Sequence, residues 1–351
     1  MSPSDHLAEH SPDLNPISTL RSQGHTRSIS ISRCPFSHRL PKCVRIVEVG
    51  PRDGLQNESH FVETSRKISL VHELVDAGLR NVEVTAFVSP RRVPQLADSS
   101  AVLSAIRKKT GVSYPVLVPN LIGFNAALAA GAEEVAIFAS ATEQFSQKNI
   151  NCSIQQSLDR FRAVTTAARA YGVKVRAYVS CVVGCPYEGP VNPEAVADVT
   201  IALKEMGCYE ISLGDTIGVG NPKSIVQMLH AVLQRGVPVS ALAIHCHDTR
   251  GTALANVLAA MSVGVSVIDS SVAGLGGCPF APGAAGNLAT EDLVYMLQGM
   301  NIDIGPVDLD RLSATGRRIC AYLGRESSSR VSAASHNNSK LSSCSRSAAS
   351  L

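Results

Sequence analysis

The chain has 351 residues, of which 45% are hydrophobic and 17% charged, with a formal net charge of +3. That length is enough to bury a large core, and the small charge provides no surface-wide field for nucleic acid or an anionic membrane. No apolar run approaches the roughly 20 residues of a membrane-spanning helix, and the scattered cysteines, with Cys181 and Cys185 as a lone CxxxC, fit a reduced compartment better than a disulfide scaffold or a zinc ribbon.

At the N-terminus, residues 14–47 contain no Asp or Glu, carry Arg21, Arg27, Arg33, Arg39, Lys42 and Arg45, and are rich in Ser. This is the composition of an organellar transit peptide and places the mature protein in the mitochondrial matrix. If the segment carried no address, it would be a disordered tail on a cytosolic protein. Residues 1–43 are therefore set apart from a catalytic domain spanning 44–325.

From residue 44 the chain repeats one unit: a short β-branched apolar run, a polar or Gly-containing loop, then helical periodicity. The predicted strands are Val44–Val49, Asn81–Thr85, Pro115–Val118, Glu134–Ala139, Lys174–Val179, Tyr209–Leu213, Leu242–His247 and Val267–Val272. Helical patterns fall at about 63–77, 95–109, 122–130, 153–171, 193–206, 222–235, 250–263 and 287–299. Gly78, Gly131, Gly172 and Gly207 follow helices, while Pro193 and Pro222 suit first helical turns. Eight such units predict an α/β protein, a single-domain (β/α)8 TIM barrel, whose chemistry belongs at the C-terminal ends of the strands. No GxGxxG follows the first strand, so a dinucleotide fingerprint is absent.

The polar residues collect at those strand ends. Strand one runs into Gly50-Pro51-Arg52-Asp53-Gly54, offering a guanidinium for an oxyanion and a hard oxygen ligand for a cation. Glu83 sits in apolar strand two, where a carboxylate is expensive without a partner such as Arg52. Strand six ends at Asp215, suited to proton transfer, to positioning, or to capping a helix. Strand seven ends His245-Cys246-His247; residues two apart share a face, so both imidazoles point together and suit a divalent metal. After strand eight, the Gly-rich stretch 274–286 carries Cys278 in a loop able to close over a ligand. Asn287 then either completes a metal shell or caps the helix that follows.

The C-terminal residues, 326–351, are dominated by Ser and Ala, too poor in large apolar side chains to offset the entropy of ordering them, and are expected to be disordered. Ser339-Lys340-Leu341 spells a peroxisomal address, but ten residues follow it and that signal is read at a free C-terminus.

Taken together, Arg52-Asp53, Glu83, His245-x-His247 and the Gly276-Gly277-Cys278-Pro279 loop resemble the 3-hydroxy-3-methylglutaryl-CoA lyases, within the wider group of metal-dependent barrel lyases and synthases. The resemblance runs from about Val44 to Leu323. It implies cleavage of an acyl-CoA thioester to acetoacetate and acetyl-CoA by a homodimer. It also implies Mg2+ or Mn2+ held by Asp53, His245, His247 and Asn287, with Arg52 binding the thioester oxygen, Glu83 orienting Arg52, Asp215 assisting proton movement and Cys278 acting from the loop. Ser59, Ala86 and Arg250 depart from the family pattern, Ser59 where a cationic contact to the acyl-CoA is common. Two alternatives remain: a related acyl-CoA condensing synthase, and a catalytically inactive barrel.

Overall fold

The computed structural model describes residues 40–277 and 286–335; the N-terminal segment to 39, Cys278 and the tail from 336 lie outside the described residues. Eight parallel strands form one sheet: β1 (Arg45–Glu48), β2 (Thr85–Ala86), β3 (Val116–Leu117), β4 (Glu134–Ser140), β5 (Lys174–Ser180), β6 (Glu210–Asp215), β7 (Leu242–Cys246) and β8 (Val267–Ser270). Their order is β1-β8-β7-β6-β5-β4-β3-β2. A parallel bridge between Glu48 and Val82 joins the two ends, with Glu48 N donating to Asn81 O (2.9 Å) and Glu83 N to Glu48 O (2.8 Å). The sheet thus closes into the expected (β/α)8 TIM barrel.

The helices follow the strands in chain order: α1 (Thr64–Asp76), α2 (Ser99–Ala105), α3 (Leu121–Ala129), α4 (Glu143–Ile150), α5 (Ile154–Ala170), α6 (Pro193–Glu205), α7 (Pro222–Gln234), α8 (Ala253–Val263), α9 (Thr290–Gly299) and α10 (Leu309–Leu323). Local chemistry starts them. Ser153 and Gln156 form a capping box on α5, Asn221 and Ser224 do the same on α7, and Asn192 accepts from Glu194 N at α6. At Gly78, φ is +100° and a Cβ would stand 2.1 Å from the carbonyl oxygen of Pro306, so only glycine fits between α1 and the approach to α10.

The main core lies between strands and helices, taking alternate residues such as Val175, Ala177 and Val179 of β5 and Ile211 and Leu213 of β6. The other face of each strand lines the barrel interior, where two small clusters (Val47, Ala243 and Val267; Ala136, Leu117 and Tyr178) flank a charged layer. Arg176 on β5 donates to Glu210 on β6 through Nε (2.6 Å) and to Asp269 on β8 through a terminal nitrogen (2.5 Å). Arg45 on β1 closes the set on Glu210. Two cations and two anions balance, which is how charges survive at the centre of a barrel.

Three features differ from the expectations. Helix α4 falls where a polar stretch predicts a loop; it is stopped by Asn151 in the left-handed region (φ 53°) just before the α5 cap. Helix α10 lies beyond the last predicted helix and packs on α1. Residues 326–335 do not run free as their composition suggests: the carboxylate of Asp292 accepts from Ser329 Oγ (2.7 Å), Arg330 N (3.1 Å) and Val331 N (3.0 Å), capping a turn of helix at 330–335. Three hydrogen bonds to one carboxylate offset an entropy cost that apolar burial alone does not.

Candidate active site

The turn after β1, Gly50–Gly54, is one wide helical turn with Pro51 at its start, and it delivers Arg52 and Asp53 to the C-terminal rim. Arg52 is buried and fully engaged. Its Nε donates to Glu83 Oε1 (2.8 Å), one terminal nitrogen donates to Asp53 Oδ1 (2.5 Å), and its guanidinium lies 5.3 Å from the ring centroid of Tyr178. Glu83 is fully buried beside β2 and also accepts from Tyr178 Oη. The partner anticipated for Glu83 is therefore the one it has.

On β7, separated from β1 only by β8, His245 and His247 place their ring centroids 5.2 Å apart. Nε2 of His247 lies 4.0 Å from Asp53 Oδ2. Ligand atoms of Asp53, His245 and His247 all fall within 4.8 Å of one another. Asn287, bridged to His247 across the two chain segments, donates its amide nitrogen to Asp53 Oδ2 (2.8 Å) and Leu275 O (3.0 Å), which leaves Oδ1 buried without a partner. Helix α9 begins at Thr290 with Ala289 as its cap, so Asn287 is not the helix cap.

The donor set suits a cation. Buried polar atoms are almost always paired, yet Asn287 Oδ1, beside this triad, has no hydrogen-bond partner. Burial works against ionising Asp53, but Arg52 foremost, then the two histidines and the Asn287 amide, hold its carboxyl well below the usual range. Burial, together with His245, pulls His247 down to about 4, which leaves a neutral imidazole with a free lone pair near neutrality. An anionic oxygen and two imidazoles within 4.8 Å of one another, with the Asn287 amide beside them, form a possible metal-binding site.

Asp215 is fully buried, and burial raises its pKa against the pull of its hydrogen bonds. Its two carboxylate oxygens accept from Val219 N (3.1 Å) and Gly220 N (2.8 Å), and its carbonyl accepts from His247 N (3.3 Å). The carboxylate therefore organises the 215–220 turn, and the cap of α7 is Asn221 instead. Cys278 lies outside the described residues, but Gly277 beside it lines the site and accepts from Asn57 Nδ2 (3.1 Å). Gly276 has φ +112°, and a Cβ there would stand 2.7 Å from Asn287 Nδ2.

Two carboxyls absent from the sequence reading tie the stems of this loop to the β1 turn. Glu48 accepts from Gly50 N (2.7 Å), Val272 N (2.9 Å) and Thr290 Oγ1 (2.6 Å); Glu291 accepts from Ala273 N, which is held in the left-handed region at φ 57°. Burial pushes Glu48 up to about 7 and Glu291 up to about 8, from ordinary values of 4.5. Raised folded values mean that the native state binds more protons than the unfolded chain. Their stabilising effect is complete below pH 4.5 and is lost as pH rises through about 7 and 8. Wild-type protein is thus expected to lose on the order of a few kcal/mol more stability between pH 5.5 and 8.5 than Glu291→Gln, measured by urea unfolding. Equal pH slopes for the two proteins would mean that Glu291 is ionised throughout.

Arg52, Asp53, His245 and His247 line a cavity of about 340 Å³, whose walls include Tyr178, Phe138, Leu117 and Ser180 and which also takes in the exposed Arg92 and Arg160. A hollow of about 640 Å³ opens at the opposite end of the strands, beside Arg45, Glu134, Lys174 and Tyr209. There Tyr209 Oη donates to Glu134, and Arg45 reaches inward to Glu210. Besides Glu48 and Glu291, Tyr178, Arg176 and Asp269 are residues at the site that the sequence alone did not single out. Their signal is polarity in mid-strand, the same signal that marks Glu83.

A family model described as HMGL-like matches residues 43–319. The mitochondrial hydroxymethylglutaryl-CoA lyase of Bos taurus is 62% identical over 295 residues, covering 84% of this chain and 90% of the relative. Among solved structures, the hydroxymethylglutaryl-CoA lyase from Pseudomonas aeruginosa matches with a TM-score of 0.83 and 54% identity, over 86% of this chain and 99% of that one. An HMG-CoA lyase from Acinetobacter baumannii, in complex with coenzyme A and 3-methylmalate, matches with a TM-score of 0.80 and 35% identity, over 84% and 95% of the two chains. By family match and by identity along most of its length, the chain belongs to the HMGL-like family, among the hydroxymethylglutaryl-CoA lyases.

Proposed function

We propose that this protein cleaves 3-hydroxy-3-methylglutaryl-CoA to acetoacetate and acetyl-CoA, with a divalent cation held by Asp53, His245, His247 and Asn287. The observation that carries this reading is the meeting of those groups beside Arg52 on one rim. Two oxygen and two imidazole donors fit Mg2+ or Mn2+, the latter more tolerant of nitrogen. When bound, the cation lowers the pKa of the substrate's C3 hydroxyl and fixes its carboxylate.

The chain's own residues complete the reaction. Loss of the C3 hydroxyl proton turns C3 into a ketone as the C2–C3 bond breaks, and the bonding pair passes into the thioester as an enolate. Arg52, locked by Glu83 and Tyr178, presents a preorganised cation to that enolate oxygen, and protonation at C2 yields acetyl-CoA. Asp215 sets the 215–220 turn and, through its carbonyl, the backbone of His247. Cys278, which lies outside the described residues, is assigned a catalytic part next to Gly277 at the site. Arg92 and Arg160 supply positive charge at the cavity for the phosphates of coenzyme A.

The condensing-synthase and inactive-barrel alternatives are disfavoured by the lyase relatives and by the complete set of polar groups. Enzyme stripped with EDTA is expected to release no acetoacetate and to regain activity on addition of Mg2+ or Mn2+, read by a coupled assay. Silence with both cations, or condensation of acetyl-CoA with a 2-oxo acid, overturns the proposal. Residence in the mitochondrial matrix, supported by the acid-free basic segment 14–47, is tested by the mature N-terminus; a homodimer is tested by light scattering.

A further inference from the structure

The proposed ligand set leaves the orientation of one imidazole unexplained. Nδ1 of His245 is buried without a hydrogen-bond partner, and 3.4 Å away stands Oδ2 of Asp269, its neighbour in register across the β7–β8 ladder. Asp269 is itself buried and held on both oxygens, Oδ1 by Arg176 (2.5 Å) and Oδ2 by Ser212 Oγ (2.6 Å). Arg176 is braced in turn by Glu210 and lies over the ring of Tyr178 (4.7 Å), whose edge meets the His245 ring at 88°. Packing alone does not call for this arrangement, since apolar residues fill a barrel interior as stably as buried ion pairs do.

We infer that Asp269 is a positioning residue for His245: it accepts the Nδ1 proton and so directs the bare Nε2 into the ion site, with Arg176 and Ser212 fixing its carboxylate. A neutral imidazole has one N–H and one lone pair, and the partner of one nitrogen decides which role the other takes. An ionised carboxylate can only accept, so it selects the Nδ1–H form. The ion pair with Arg176 (2.5 Å) favours the ionised, accepting form of Asp269 in spite of its burial. The 3.4 Å separation places Oδ2 as the carboxylate oxygen next to Nδ1. Carboxylates behind ligating histidines act in this way, and their loss costs about 10–100-fold in metal affinity.

The inference rests on His245 being a ligand, yet its tautomer can be read without any metal. In full-length protein labelled with 15N-histidine, with the His245 signals identified by their loss in His245→Gln, the expected spectrum shows a protonated Nδ1 and a bare Nε2. The Asp269→Asn variant is expected to bind Mn2+ about 10–100-fold more weakly by electron paramagnetic resonance and to shift His245 toward the Nε2–H form. Either an Nε2–H tautomer in the wild type, or a folded Asp269→Asn that binds Mn2+ as tightly as the wild type, overturns the inference. Wild-type protein that binds no Mn2+ sinks the metal reading instead, and the wild-type tautomer then decides this one, as it does if Asp269→Asn fails to fold.

Discussion

Arg52→Met is expected to lower kcat by about 10³-fold or more while substrate affinity changes far less. Removing one preorganised oxyanion donor typically costs about 10²–10³ in rate, and a buried guanidinium stands at the upper end because the surrounding site screens it so little. The side chain is fixed before substrate arrives, by Glu83, by Asp53 and by the Tyr178 face, so the transition state bears little cost of orienting it. Methionine fills the volume without the charge. It also leaves Glu83 buried without a cation, a loss of about 3–5 kcal/mol when one partner of a buried pair is removed. Stability and rate must therefore be separated. Adding Glu83→Gln to Arg52→Met is expected to restore much of the unfolding free energy and none of the rate. Arg52→Lys is not expected to rescue either, because an ammonium cannot reproduce the planar fork shared between two carboxylates. A kcat within 10-fold of wild type in a folded Arg52→Met would remove Arg52 from the chemistry.

The strand-end residues were legible because strand position and side-chain direction are local: a period of two places His245 and His247 on one face, and the repeating βα grammar places that face at the rim. The cost of burying a lone carboxylate was enough to pair Glu83 with Arg52. The same reasoning, applied to Arg176 in the middle of an apolar strand, calls for an anion, but identifying Glu210 and Asp269 requires the relative registers of β5, β6 and β8, which only the closed barrel sets. Asp215 illustrates a second limit. A carboxylate at a strand end serves proton transfer, positioning or capping equally well on paper, and only the path of residues 216–220 shows two backbone N–H groups converging on it. Order at 326–335 was hidden for a related reason, since its anchor is Asp292, 37 residues away from Ser329.

His245→Ala is expected to abolish both metal-dependent activity and metal-induced stabilisation, and the second effect separates binding from chemistry. A ligand that binds only the native state stabilises it by about 2.7 kcal/mol at one hundred times its Kd, a shift visible in thermal melts of the wild type with Mn2+. In the variant, Asp53, His247 and Asn287 remain, but one of two nitrogen donors is gone, so the Mn2+-dependent rise in Tm is expected to vanish at the same concentration. The metal-free fold should tolerate the change. Asp269 loses its contact with His245 Nδ1 (3.4 Å) but keeps Arg176 and Ser212 as partners, and Asp53 keeps Arg52 and Asn287. A metal-free Tm close to wild type, together with a lost metal response and at least about a 10³-fold drop in turnover, is therefore the signature of a ligand rather than of a core residue. An unchanged Mn2+ response in His245→Ala would place the ion elsewhere and leave the pair of imidazoles as packing.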